Sequence, residues 1–252
     1  AGDFGNLHYN LADSIPRPRV LYIDTEMEEA NTIAMKNRVL SMTGRTVGEQ
    51  YDDFIVIMLR EASSQDKHVS AAVMRWRLTL KALHEYQPTV CFIDGLLDVI
   101  ADFNDNVMCQ ELIYKCMQVA SNYDMSLWCI LHQNPGGEKL VGHLGSFLER
   151  KVTDVLQTKK DKNDTSGDVT FTVSQKKARG RDIQDWKFRV LPIDSWGRPQ
   201  QEDAVAPKEF KYTADEIKQW ITDHQGDMLW PSTLMDIRNI IFKEGCGVKA
   251  SN

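Results

Sequence analysis

The chain has 252 residues, 42% of them apolar or aromatic, and carries 30 basic against 36 acidic side chains, a formal charge of −6. At about 150 residues per domain this is one large or two modest domains of ordinary globular composition, which excludes wholesale disorder and collagen-like structure. A protein gripping nucleic acid over its whole surface would be basic, so any such contact must be local.

The longest apolar run, Phe54–Leu59, is six residues, far short of the roughly 18 that a membrane helix needs. With no basic-then-apolar leader in the first residues, we expect a cytoplasmic protein with no membrane partner. Five widely spaced cysteines (Cys91, Cys109, Cys116, Cys129, Cys246) include no C-x2-C pair. They fit reduced thiols in the same compartment.

Val20–Ile23 is the first of four short apolar runs; Phe54–Leu59, Val90–Ile93 and Leu127–Leu131 follow. Continuous rather than alternating runs are expected of strands buried on both faces. Between them, Val69, Val73, Trp76, Leu80 and Leu83 recur at helical steps in 69–84, as do Met108, Leu112, Cys116 and Val119 in 107–120. Alternating strand and helix predict an α/β fold with a mostly parallel sheet flanked by helices.

Past residue 150 the pattern changes. Val152–Gln157 reads as a further strand, 159–168 as a polar turn, and Val169–Ser174 with Trp186–Ile193 as an antiparallel pair. Ser195–Lys208 holds two prolines and several charges and reads as a linker. Thr213-Ala214-Asp215-Glu216 has capping-box spacing. Two amphipathic helices are expected over 213–244, turning near Gly226–Pro231. The expected organisation is a core over 1–195, a linker over 196–212 and a helical unit over 213–252. Two readings of that unit stay open: a cap packed on the core, or a partial helix-turn-helix that reads duplex DNA, with Lys243 and Lys249 on phosphates.

In an open parallel sheet, ligands bind beyond the carboxyl ends of the strands. The polar residues at those ends are Asp24-Thr25-Glu26, then Asp94, then His132-Gln133-Asn134. Acids ending two strands and an amide ending a third suit a Mg²⁺–nucleotide site. Asp94, after four apolar residues, has the form of a Walker B aspartate holding Mg²⁺ directly or through water. Glu26 suits a general base that polarises the attacking water, and Gln133 suits a sensor of the γ-phosphate. Plainer readings stand beside these: Asp94 as a helix N-cap, Glu26 as a first-turn acid favoured by the helix dipole, His132 as a packed, hydrogen-bonded ring. From 176 to 189, Lys176, Lys177, Arg179, Arg181, Lys187 and Arg189 outnumber Asp182 and Asp185. A solvated hairpin face also explains that cluster.

Three segments, in order, carry a resemblance: "VLYIDTEMEEANTIAMKNRVLSMTG", "VCFIDGLLDVIADFNDN" and "LWCILHQNPGGEKLVGHLGSFLERKVTDVL". Over roughly residues 19–195 the chain resembles RecA-like P-loop ATPases of the RepA/DnaB hexameric-helicase type, as carried by bacterial plasmids and mobilizable transposons. The resemblance implies Glu26 as catalytic glutamate, Asp94 as the Mg²⁺ aspartate, and His132 and Gln133 as the polar motif after the next strand. Gly142, His143, Gly145 and Ser146, in "GHLGS", resemble the family's nucleic-acid-facing loop and the helix after it. Lys177-Ala178-Arg179 resembles a K-x-R element that reaches the γ-phosphate of the neighbouring subunit. The spacing favours Arg179 over Arg181 as the finger, with Asp24, His132, Lys177 and Arg181 as nucleotide contacts.

The implied cofactors are ATP and Mg²⁺. The implied partners are DNA, single-stranded at the loop and duplex at the C-terminal unit, and further copies of the chain in a hexameric ring. The family's G-x-x-x-x-G-K-[ST] loop does not occur in the chain. It is expected upstream of Ala1; the alternative is that it has been lost. The implied function is an ATP-dependent, helicase-like DNA motor of a mobile genetic element. The alternatives are a non-catalytic DNA-binding accessory protein on the same scaffold and a regulatory ATPase acting on proteins.

Overall fold

The computed structural model describes residues 17–134, 137, 140–161, 169–180, 182–190, 197–201 and 219. The chain divides into two compact units, Ala1–Val205 and Ala206–Asn252. All described residues except Gln219 belong to the first. Arg181, the capping box at Thr213 and the two helices expected over 213–244 lie outside the described residues.

Four strands, β1 (Val20–Asp24), β2 (Phe54–Met58), β3 (Val90–Asp94) and β4 (Ser126–Ile130), form a parallel sheet in the order β2-β1-β3-β4. Parallel neighbours need long crossovers, supplied here by α1 (Glu29–Met42), α2 (Ala71–Tyr86) and α3 (Asn106–Asn122). Both expected helices start at side-chain caps. Ser70 Oγ accepts the Val73 N–H at 3.3 Å and Asp105 Oδ1 accepts that of Met108 at 2.8 Å, each pairing a backbone donor that the helix itself leaves open. The buried stripe of α3 is Cys109, Leu112, Ile113, Cys116 and Val119, so Met108, expected on that face, points outward. Helix α1 has no apolar stripe for the sequence to show. Only Thr32 and Leu40 are buried along it.

One face of the sheet carries the core. Leu21, Ile23, Cys91 and Ile93 are fully buried against Leu83, Leu96, Leu112 and Ile113, each large side chain contributing about 1.5–3 kcal/mol. Burial pushes the Cys91 thiol up to about 12, so it serves as an inert small hydrophobe. The other face is different. Tyr22, Phe92 and Trp128 lie in a row across β1, β3 and β4, with ring centroids 6.1 and 5.8 Å apart, and Trp128 is 43% exposed. The expectation of strands buried on both faces is therefore corrected. Burial alternates along β1, β3 and β4, and among the described residues the rings of Tyr22, Phe92 and Trp128 on this face cover one another.

Helix α4 (Gly142–Lys151) leads into an antiparallel sheet of β5 (Asp154–Lys160), β6 (Val169–Ala178), β7 (Trp186–Val190) and β8 (Pro199–Gln201), in that order. Strand β5 starts later than expected because Val152 still closes α4, its N–H reaching Leu148 O at 3.0 Å. Strand β6 runs past Ser174 into its lysines because it pairs with β5 along its length, from Asp154↔Ala178 to Lys160↔Phe171. Strand β8 falls within the stretch read as a linker. Pro199 opens it, a position where a missing N–H costs little. No helix among the described residues is long and apolar enough to cross a membrane.

Candidate active site

Parallel strands deliver their carboxyl ends to one edge, so Asp24, Asp94 and the residues after Ile130 meet there. Asp24 and Asp94 are register neighbours. Asp24 is 1% exposed and engaged by its own chain. Oδ1 accepts the N–H groups of Glu26 at 3.0 Å and Met27 at 2.9 Å, and Oδ2 accepts the Thr32 hydroxyl. The geometry makes it the pivot of the turn from β1 into α1.

Asp94 is half-buried at the end of β3, and Tyr22 donates its hydroxyl to Oδ2. Burial raises the Asp94 carboxyl above the usual carboxylate range; the Tyr22 bond opposes this, and the charges of Glu26 and Asp24 add to it. The same burial and the Asp94 carboxylate push the Tyr22 phenol up, which keeps it a neutral donor. Asp94 is not a helix N-cap: the single 3₁₀ turn that follows, Leu96–Val99, is capped by Gly95.

Glu26 lies ahead of α1, which starts at Glu29, so it is not a first-turn acid either. Its carboxylate rests on Gly95, where a β-carbon would overlap it. Glycine is needed here for close approach rather than for φ. The Thr25 hydroxyl holds that floor in place, accepting Gly95 N–H at 2.8 Å and lying 3.0 Å from Asp98 Oδ2. On the other side, Glu26 Oε2 is 2.9 Å from His132 Nε2. The hydrogen bond and charge of Glu26 raise the imidazole above its ordinary value, against a smaller effect of burial. His132 is 71% exposed, so it is not a packed core ring.

Arg75 braces the edge. It donates to Leu59 O at 3.1 Å, Arg60 O at 2.6 Å and Asp98 O at 3.3 Å, tying the end of β2 to the 3₁₀ turn. Thr25, Glu26, Arg60, Arg75, Asp98 and His132 line an open crevice of about 560 Å³. That is within the roughly 300–1,000 Å³ of small-molecule sites. Tyr22, Arg75, Gly95 and Asp98 were not anticipated from sequence, and Thr25 was noted only as a polar residue at a strand end. Only Asp98 carried a signal, as a second acid four residues after Asp94.

Gln133 follows His132 and forms an isolated antiparallel bridge with Leu140, while Val141 N–H reaches His132 O at 3.3 Å. "GHLGS", read as a loop and the helix after it, forms the first turns of α4. Gly142 opens the helix at φ +68°, where a β-carbon would sit 2.6 Å from Phe103 Cδ2. His143 and Ser146 are exposed on the helix, and Leu144 and Gly145 are buried under it.

Lys177 and Arg179 sit on β6 and at its end. Lys177 donates to Glu149 O and Arg179 to Arg150 O at 3.1 Å. Both carbonyls belong to the last turn of α4, where backbone acceptors lack helical partners and cations are favoured by the dipole.

Among the described residues no group of three or more His, Cys, Asp or Glu forms a ready-made metal cage. Mg²⁺ asks for less: hard oxygen donors, often one or two carboxylates with the remainder from waters and substrate phosphates. Asp94, raised by burial and by neighbouring acids, fits that role, since a cation relieves the repulsion it sits in.

No family model matches the chain, and no curated protein matches it. Among solved structures, the flagellar accessory protein FlaH from Methanocaldococcus jannaschii matches at TM-score 0.49 and 16% identity, over 75% of this chain and 78% of that one. The KaiC-like protein PH0186 from Pyrococcus horikoshii OT3 matches at TM-score 0.50 and 10% identity, over 73% and 76%. At such identity the likeness to PH0186 speaks to architecture alone: the fold is RecA-like, a parallel sheet flanked by helices and continued by antiparallel strands.

Proposed function

We propose that this protein is a Mg²⁺-dependent ATP hydrolase whose catalytic edge is the carboxyl end of the parallel sheet. The observation that carries the reading is the meeting of Glu26, Asp94 and the His132-Gln133 pair at one edge from three different strands. In this reading Glu26 takes the proton of the attacking water, a role that geometry must satisfy first and pKa second. Asp94 would hold Mg²⁺, which when bound neutralises charge on phosphoryl oxygens. Gln133 reports on the terminal phosphate through its amide. Asp24 supports the site indirectly, by shaping the turn that presents Glu26.

The finer reading is a helicase-like DNA motor of a mobile genetic element, assembled as a homo-oligomeric ring. Its support is the sequence resemblance together with the RecA-like fold. Exposed His143 and Ser146, on the first turns of α4, are the surface offered to single-stranded DNA. Arg179 acts in trans in this reading; it carries five N–H donors, and the Arg150 carbonyl engages one amine.

The test is ATP hydrolysis by the full-length protein with and without Mg²⁺ and single-stranded DNA. Mg²⁺-dependent turnover that rises with DNA supports the motor. Turnover indifferent to DNA supports an ATPase acting on proteins. DNA binding with no hydrolysis supports the non-catalytic accessory protein.

A further inference from the structure

Glu26 is held from two sides by residues far from it in sequence. Below it, Gly95 leaves the space its carboxylate fills, and Thr25 pins Gly95 from behind. Beside it, His132 Nε2 meets Oε2 across a separation of 106 residues. The side chains differ in exposure, 30% for Glu26 and 71% for His132. The glutamate is therefore the more sheltered of the two. A carboxylate at the end of a short, flexible side chain has several rotamers. A general base needs one of them, because displacement by about 1 Å can cost up to about 100-fold in rate.

Resting on the hydrolase reading above, we propose that His132 is a positioning residue: it fixes the Glu26 carboxylate against Gly95 in a single orientation rather than contacting nucleotide itself. One ring nitrogen is engaged by Glu26, and the backbone on either side of it is fixed too. His132 O accepts from Val141 N–H, and the next residue is bridged to Leu140. The clamp on Glu26 is thereby tied through the backbone to the residues that open α4.

Two measurements test this. The His132 ring is titrated by NMR in the full-length protein, its signal assigned by its loss in His132→Gln. The expected result is titration above the ordinary histidine value of about 6.5, falling back toward it in Glu26→Gln. An unshifted ring in the wild type overturns the clamp. In the full-length protein, His132→Ala should lower kcat for ATP by about 10-fold to 100-fold with KM unchanged. His132→Gln, whose amide can donate to the same oxygen, should recover most of the loss. A raised KM with unchanged kcat overturns the positioning role in favour of direct nucleotide contact. An unchanged kcat in His132→Ala, with Glu26→Gln inactive, overturns it outright. Absence of any turnover in the wild type overturns the hydrolase reading and with it the positioning role, while the titration still decides whether the clamp exists.

Discussion

The carboxylates at the parallel edge and the two cations of the K-x-R element take opposite kinds of partner. At the carboxyl edge of the parallel sheet, carboxylates are held by side chains from other strands: Tyr22 on Asp94, His132 on Glu26, Thr25 beside Asp98. In the antiparallel sheet, the two cations of the K-x-R element turn to backbone, donating to the last carbonyls of α4. Side-chain pairs can exchange one partner for a ligand. A cation on an otherwise unpaired helix carbonyl is part of the fold. The parallel edge thus has the character of a site, and the β6–α4 contact has the character of a joint between strand and helix.

That contrast gives an order of effects. The largest falls where α4 packs on α3. Leu144 is fully buried under α4, which packs on α3, and Leu144→Ala should cost about 2–5 kcal/mol in urea unfolding. A cost well below that would mean that α4 is loosely seated and the contrast is overstated. Lys177→Met and Arg179→Met should each cost less, about 0.3–1 kcal/mol, the usual value of a cation at a helix C-terminus. If neither variant loses stability, the two side chains are not caps in solution.

The smallest effect lies at the far, amino edge of the parallel sheet. Arg45 grips Asp53 through two bonds of 2.6 Å, and that guanidinium holds the Asp53 carboxyl below the usual carboxylate range, against a smaller effect of burial. A depressed folded value stabilises the protein above the unfolded pKa of about 3.9 and stops doing so as pH falls through the lower folded value. Both groups are partly solvated, so the gain is at most about 1 kcal/mol. Asp53→Asn should remove that much at pH 7 and almost nothing near pH 2. An equal loss at both pH values would show that packing, not charge, is at work.

The same contrast explains what the sequence revealed. Strand-ending acids were legible because in a parallel sheet a strand's last residue is delivered to a common edge by topology alone. Asp24, Glu26 and Asp94 needed only the short apolar runs before them. Which carboxylate is engaged by the fold was not legible. Asp24 and Glu26 are two residues apart, yet the first closes the turn into α1 while the second faces His132, a pairing set by the end of β4. The role of Gly95 was equally hidden, since a lone glycine after Asp94 looks like any turn. Helix α1 gave no signal because it buries too few apolar residues to show a period. The K-x-R pair was read for its charge. Its carbonyl partners lie almost thirty residues earlier, a contact that no local pattern encodes.

The central claim is that Glu26, set on Gly95 and beside His132, is the base of an ATP hydrolase. Single-turnover hydrolysis of Mg²⁺–ATP by full-length wild type and Glu26→Gln, with nucleotide affinity measured in parallel, tests it most directly. The account predicts a rate lower by about 10²–10⁴ in the variant, the scale of lost general-base help, with affinity unchanged. Equal rates in the two proteins would contradict it.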